Sequence, residues 1–145
     1  MEEKIKATGV FSLQIEDAAG NVLEKFEDKN LVVTTGQQNI AKLLGGDAAG
    51  KPVTLIGVGT NGNTPALTDT ALTNLFSKPI IGVAYPAVNS VRYNWSLEAA
   101  DANGITIKEF GLLNDDNVLI ARKVRAEIVK SSAVRLVGSW TITIN

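Results

Sequence analysis

From Ile5 to Glu16 the side chains change character at almost every step. Ile5, Ala7, Gly9, Phe11, Leu13 and Ile15 fall on one face, and Lys6, Thr8, Ser12, Gln14 and Glu16 on the other. A period of two belongs to an extended strand with one face buried and one wet. The same period returns where Val91, Tyr93, Trp95 and Leu97 alternate with Arg92, Asn94, Ser96 and Glu98, and again near the C-terminus, where Val134, Leu136, Trp140, Ile142 and Ile144 face inward. Val, Ile and Thr make up 38 of the 145 residues, and clusters of Gly, Asn and Asp interrupt them at short intervals. That combination favours strands joined by tight turns. The expected fold is therefore mainly β, an antiparallel β-sandwich of about eight strands forming a single domain over residues 1–145.

The remaining segments fit this frame. Asp17-Ala18-Ala19-Gly20-Asn21 reads as a turn and Val22 to Asp28 as a returning strand, so residues 1–29 form an N-terminal hairpin that is available as a docking element. One short helix is predicted over about residues 36–44. Thr35 would cap it with Gln38 three residues on, Gly45-Gly46 would stop it, and Ile40, Leu43 and Leu44 would pack on the sheet. Val53 to Thr60 reads as a strand in which Gly57 and Gly59 indicate a bulge or the close approach of another backbone. Residues 61–75 form a long polar loop with a short turn of helix near Asp69 to Leu72, the best candidate for a surface excursion. Ile80 to Tyr85 is a strand ended by Pro86. Asn114 to Asn117 closes a hairpin between Ile105–Leu113 and Val118–Lys130.

The chain has no cysteine and no histidine. Disulfides, thiolate metal sites, Cys nucleophiles and Ser–His–Asp catalysis are thereby excluded. Carboxylates are the acid–base groups that remain, in Glu98 to Asp101 and in Asp115-Asp116. The second pair falls in a hairpin tip, where Asp is favoured for bonding nearby backbone, and the spacing and glycine of a calcium loop are missing. The glycine-rich run GVGTNGNTP (57–65) lacks the following helix and the lysine of a phosphate-binding loop. No catalytic group, metal or cofactor is expected. A formal charge of −1 gives no electrostatic reason for binding nucleic acid or an anionic membrane, and no run approaches the ~20 apolar residues of a membrane span. The polar start, Met1-Glu2-Glu3-Lys4, carries no signal-peptide character.

Charge is unevenly placed. Residues 1–50 hold eight acids against five bases, whereas residues 118–135 hold Arg122, Lys123, Arg125, Lys130 and Arg135 against Glu127 alone. A basic strand and an acidic hairpin could meet between copies of the chain, with Asn61, Asn63 and Asp69 of the loop as further contact residues, or could be two solvated faces. Arg122 also interrupts an inward face made by Val118, Ile120, Val124, Ala126 and Ile128, as Glu109 interrupts that of Ile105 and Ile107. A turn at 114–117 would set position 109 opposite about position 122, predicting a structural Glu109–Arg122 ion pair. The other reading places Arg122 at a strand end where the face becomes exposed.

The ordered segments NLVVTTGQQNIAKLLGG (30–46), TLIGVGTNGNTPALTDTALTN (54–74), NWSLEAADANGITIKEFGLLNDDNVLIARKVR (94–125) and VGSWTITIN (137–145) resemble a family of small virion proteins of tailed bacteriophages and prophages, associated with tail, tail-fibre or baseplate regions. The resemblance covers about residues 30–145. It implies a β-sandwich subunit, made in the bacterial cytoplasm and carried in the virion. Such a subunit acts through contacts with other virion proteins and with its own copies in a trimer or ring, without an active site. A capsid-decorating protein and a carbohydrate- or receptor-binding module are the alternatives. The latter needs exposed aromatics, for which Tyr85 and Phe76 are the candidates.

Overall fold

The computed structural model describes residues 5–145. Nine strands form one antiparallel sheet: β1 (Ala7–Asp17), β2 (Val22–Val32), β3 (Val53–Gly59), β4 (Phe76–Pro79), β5 (Gly82–Ala87), β6 (Ser90–Leu97), β7 (Thr106–Asn114), β8 (Leu119–Val129) and β9 (Val134–Ile144). A single helix, α1 (Thr34–Gly45), follows β2. The spatial order is β4-β3-β7-β8-β2-β1-β9-β6-β5. The chain is thus mainly β with one short helix, as expected. The additional strand is β4, whose Phe76-Ser77-Lys78-Pro79 is too short to show a period.

The sheet curls so that its two halves enclose one core. Phe11 of β1 sits at the centre, 4.8 Å from the Phe110 ring of β7 in the opposite half, 5.0 Å from Trp140 and 5.8 Å from Trp95. Ile56, Val58, Leu112 and Ile120 complete the core from one side, and Leu13, Leu97, Leu136 and Ile142 from the other. Burying aromatics of this size is the main source of stability in a small β domain. The two ends of the strand order are joined through Ile80-Ile81. Ile80 N–H donates to Thr54 in β3, and Ile81 N–H to Asn94 in β6, so the chain changes halves within one peptide.

At the other corner β2 and β8 pair only at Leu31–Arg122 and Val32–Ala121. Toward the β1–β2 turn the strands part and charged side chains span the gap. Lys123 reaches the Asp28 carboxylate at 2.6 Å and the Lys29 carbonyl at 2.8 Å, and Arg125 reaches Glu24 at 2.6 Å. Both cations lie over the Phe26 ring, at 5.7 and 4.8 Å. Long charged side chains over partly unpaired strand backbone also discourage pairing with a foreign strand.

The helix docks through its expected face but buries less of the apolar stripe than expected. Its buried residues are Gly36 and Asn39, while Ile40 is half-buried and Leu43 and Leu44 are exposed. Polar contacts dock it. Thr35 Oγ1 donates to the Leu119 carbonyl at 2.6 Å instead of capping the helix, whose N-cap is Val33. Asn39 Nδ2 donates to the Lys51 carbonyl at 2.8 Å. Its Oδ1 accepts from Lys51 N–H at 3.0 Å and from Asn114 Nδ2 at 3.2 Å. The C-terminus ends as predicted, at Gly46 with φ of 72°.

Candidate functional site

Residues 60–75 leave the sheet after β3 and lie over the face of β3, β7 and β8 that points away from the main core. They contain turns and no helix, in contrast to the expectation near Asp69 to Leu72. Beneath them Leu72 meets Val33, Leu113 and Leu119 in a second, smaller apolar cluster. Gly59 and Gly57 make the close approach possible. A Cβ on Gly59 would meet the Thr73 carbonyl at 2.6 Å, and one on Gly57 would meet Leu113 and the loop's Leu72 and Leu75.

Arg122 and Glu109 hold this excursion in place. Arg122 Nε donates to Glu109 Oε1 at 2.8 Å, with the side chains 1% and 0% exposed. Arg122 Nη1 donates to the Asn63 carbonyl at 3.1 Å and to Asp69 Oδ2 at 3.0 Å, and Nη2 to the Asn61 carbonyl at 2.9 Å. Glu109 Oε2 accepts from the backbone N–H groups of Asn61 and Thr73, at 2.8 and 3.0 Å. The glycine-rich run thus gives one N–H, that of Asn61, to the chain's own Glu109 carboxylate. A buried ion pair persists when its remaining hydrogen-bonding positions are filled, as they are here.

The predicted partners are therefore together, but the predicted face is not the one they use. Arg122 does not interrupt the core face of Ile120. It lies opposite Gly111, on the same outer face as Leu119. The pairing skips Ile120, setting Leu119 opposite Leu113 and Ala121 opposite Leu112, which places both Ile120 and Ala121 against the main core. This bulge reverses the phase of the strand beyond it. Asn61 and Asn63 give Arg122 their backbone carbonyls and Asp69 gives it a carboxylate oxygen, while the Asn63 residue stays exposed.

The other cations of residues 118–135 are likewise occupied within the chain. Lys123 and Arg125 bind Asp28 and Glu24, so the basic strand and the acidic hairpin meet inside one molecule. These contacts hold both carboxyls below their ordinary range, chiefly through the hydrogen bonds from Lys123 and Arg125. Arg135 bonds Glu98 and lies 3.5 Å from Glu16. Its hydrogen bond lowers the Glu98 pKa. Lys130 is 1% exposed and donates to the Glu98 carbonyl, Asn103 Oδ1 and the Ser131 carbonyl at 2.9, 3.1 and 3.0 Å. Burial pushes its pKa down. Buried as they are, Arg122 and Lys130 cannot reach a neighbouring subunit.

Part of the remaining surface is apolar. Between α1 and the β5–β6 hairpin lies an open groove of about 480 Å³, floored by Val53, Ile120 and Ile142 and walled by Ile40, Leu43, Tyr85 and Val88. A neighbouring groove contains Ile5, Leu44 and Leu67 and shares Ile40 and Ile144 with the first. Leu44 is 86% exposed, Ile5 82% and Tyr85 78%, while Val88 is fully exposed at the hairpin tip. Ile5 and Ile144 had been expected inside. Phe76, expected on the surface, packs against the core. Apolar side chains exposed side by side in this way are unusual on a monomer surface.

Sequence reasoning located the helix stripe but expected it to be fully covered. Gly36 and Asn39 lie on the same face as Ile40 and Leu43, at i, i+3, i+4 and i+7, and mark where that face meets the sheet; toward Leu43 and Leu44 it is left exposed. Among the described residues no group of three or more acidic side chains is arranged to hold a metal ion, and no helix is long and apolar enough to cross a membrane. Compared with family models, with curated proteins and with solved structures, the chain matches none.

Proposed function

We propose that this chain is a non-enzymatic structural subunit of a tailed-bacteriophage virion. It is made in the bacterial cytoplasm and acts in the tail, fibre or baseplate region through contacts with other virion proteins and with its own copies in a trimer or ring. One observation carries the assembly reading: the face of α1 docked by Gly36 and Asn39 is only partly covered, so Ile40 is half-buried and Leu43 exposed in a groove with Tyr85 and Val88, and Leu44 is exposed in the adjoining one. A helix face left uncovered at this cost in exposed apolar area is what a protein-contact surface requires. The resemblance of residues 30–145 supplies the virion context.

Purified particles from a strain carrying the gene test the proposal. The protein should be found by mass spectrometry in intact, nuclease-treated particles and be labelled by immunogold on the tail. Labelling on the head would select the capsid-decorating alternative, and absence from particles would overturn the virion reading. The carbohydrate-binding alternative now rests on Tyr85, with the half-buried Tyr93 in the same groove. Tyr85 stands over aliphatic side chains, with amides but no carboxylate among the groove's lining residues, so protein contact is the better fit.

A further inference from the structure

We infer that the apolar end of the molecule is the interface with a second copy of this chain, the exposed Val88 and Tyr85 of one copy entering the groove between α1 and the β5–β6 hairpin of the next. The inference rests on the assembly reading above and names the surface and the occupant.

Three features favour a second copy. The first is area. Ile5, Leu43, Leu44, Leu67, Tyr85, Val88 and Ile144 are each 42% or more exposed along the two adjoining grooves. At roughly 150–200 Å² for a side chain of this size they present on the order of 800 Å², which is what each partner contributes to a standard interface.

The second is charge. In a symmetric contact between copies the same patch supplies both sides, so any charge in it meets its own kind or an apolar group. The groove beside Tyr85 has no Asp, Glu, Lys or Arg among its lining residues, and the adjoining one has only Lys6. With a net charge of −1 the chains repel one another little over longer range. A partner recognised through charge would find nothing here to read.

The third is shape. A projecting hairpin tip and an open groove border one another on the same surface, so identical copies can interlock knob to hole around a symmetry axis near the rim. The groove floor is made of nearly buried Val53, Ile120 and Ile142, already held by the core. The hole therefore exists before the knob arrives, which reduces the ordering cost of association.

Light scattering after size exclusion, from 1 to 100 μM, should show the full chain as an oligomer. Val88→Glu and Leu44→Glu place a carboxylate on exposed positions. Each should weaken association at least about tenfold while leaving the circular dichroism unchanged. Because the chain has no cysteine, Val88→Cys and Leu43→Cys proteins can be mixed and oxidised. A disulfide between the two is expected.

A monomer at 100 μM, or an oligomer insensitive to both Glu variants, overturns the inference. So does a monomer whose apolar dye binding rises when residues 1–4 are deleted, which would assign the surface to the chain's own N-terminus. A monomer that is nevertheless present in particles overturns this interface and leaves the virion reading standing. An oligomer with the expected cross-link that is absent from particles does the reverse.

Discussion

Arg122 and Glu109 form a buried ion pair without being opposite one another. In the β7–β8 ladder Glu109 faces Val124 and Arg122 faces Gly111, yet Arg122 Nε lies 2.8 Å from Glu109 Oε1. The offset of two residues has two sources. The hairpin closes between Asn114 and Val118, with Asn117 at a φ of 59°, and the pairing then skips Ile120. The long guanidinium spans the diagonal and still has two nitrogens free for the loop above.

Arg122→Ala should therefore do more than remove one contact. It isolates Glu109 in the interior and frees the carbonyls of Asn61 and Asn63, at an expected cost of about 3–5 kcal/mol in urea unfolding. Proteolysis should begin within residues 61–75, since both anchors of that excursion are weakened. Arg122→Lys, which keeps the charge but not the fork, should fall between the variant and the native chain. A stable, protease-resistant Arg122→Ala protein would show that Leu72 and its apolar neighbours hold the loop unaided.

Acid should destabilise the fold through the pairs that bridge its corners. Glu24, Asp28, Glu98 and Asp101 are held below their ordinary values of 4.5 for Glu and 3.8 for Asp, first by hydrogen bonds from Arg125, Lys123, Arg135 and Lys78 respectively. With the folded-state pKa below the unfolded one, the unfolded chain binds protons more readily in this range. The stabilisation is complete above the ordinary values and is lost as pH falls through them toward the folded-state values. Without histidine, Tm should be nearly flat between pH 6 and 8 and should fall below about pH 5. Because several of these groups are exposed, 1 M salt should shrink the effect. A Tm that is unchanged down to pH 3 would show that the pairs contribute nothing.

How far the sequence discloses this arrangement depends on how locally each feature is encoded. Phe11, Trp95 and Trp140 announce their faces because their strands alternate without interruption, and Gly45-Gly46 ends α1 because a left-handed cap needs no distant partner. The bulge at Ile120 cannot be read from β8 alone, since Val118 to Ile128 keep a plausible alternation in the wrong phase. It is set by Leu113 and Leu119 meeting under Leu72, a contact that depends on the fold of the 60–75 excursion. The incomplete cover of α1 is not legible for the same reason. Asn39 finds partners in the Lys51 backbone and in Asn114, which no local pattern reveals. The acidic hairpin and basic strand were legible as charges, but their meeting within one molecule required the order β8-β2.

The two leucine environments give opposite expectations for one substitution. Leu119 is wholly buried with Val33, Leu72 and Leu113, so Leu119→Ala should cost about 2–5 kcal/mol. Leu44, at 86% exposure, leaves no cavity, and Leu44→Ala should change monomer stability by less than about 0.5 kcal/mol. Denaturation below the concentration of assembly separates this from any effect on association. A large loss for Leu44→Ala would mean that the helix stripe packs inside the subunit after all.

Gly36 and Gly45 of α1 should also respond in opposite directions to alanine. A Cβ on Gly36 would stand 2.2 Å from the Ile120 carbonyl oxygen and 2.8 Å from its carbon, where the obstacle is backbone at the bulge and cannot rotate away. Gly36→Ala must push α1 off β8, straining the Thr35–Leu119 bond, at about 1–3 kcal/mol or more. A Cβ on Gly45 meets nothing within 4 Å, so Gly45→Ala should add a few tenths to about 1 kcal/mol by restricting the unfolded chain and improving helix propensity. Thermal melts of the two variants beside the native chain decide it. If Gly36→Ala is neutral, the helix does not sit on the bulge, and the groove beside it loses its basis.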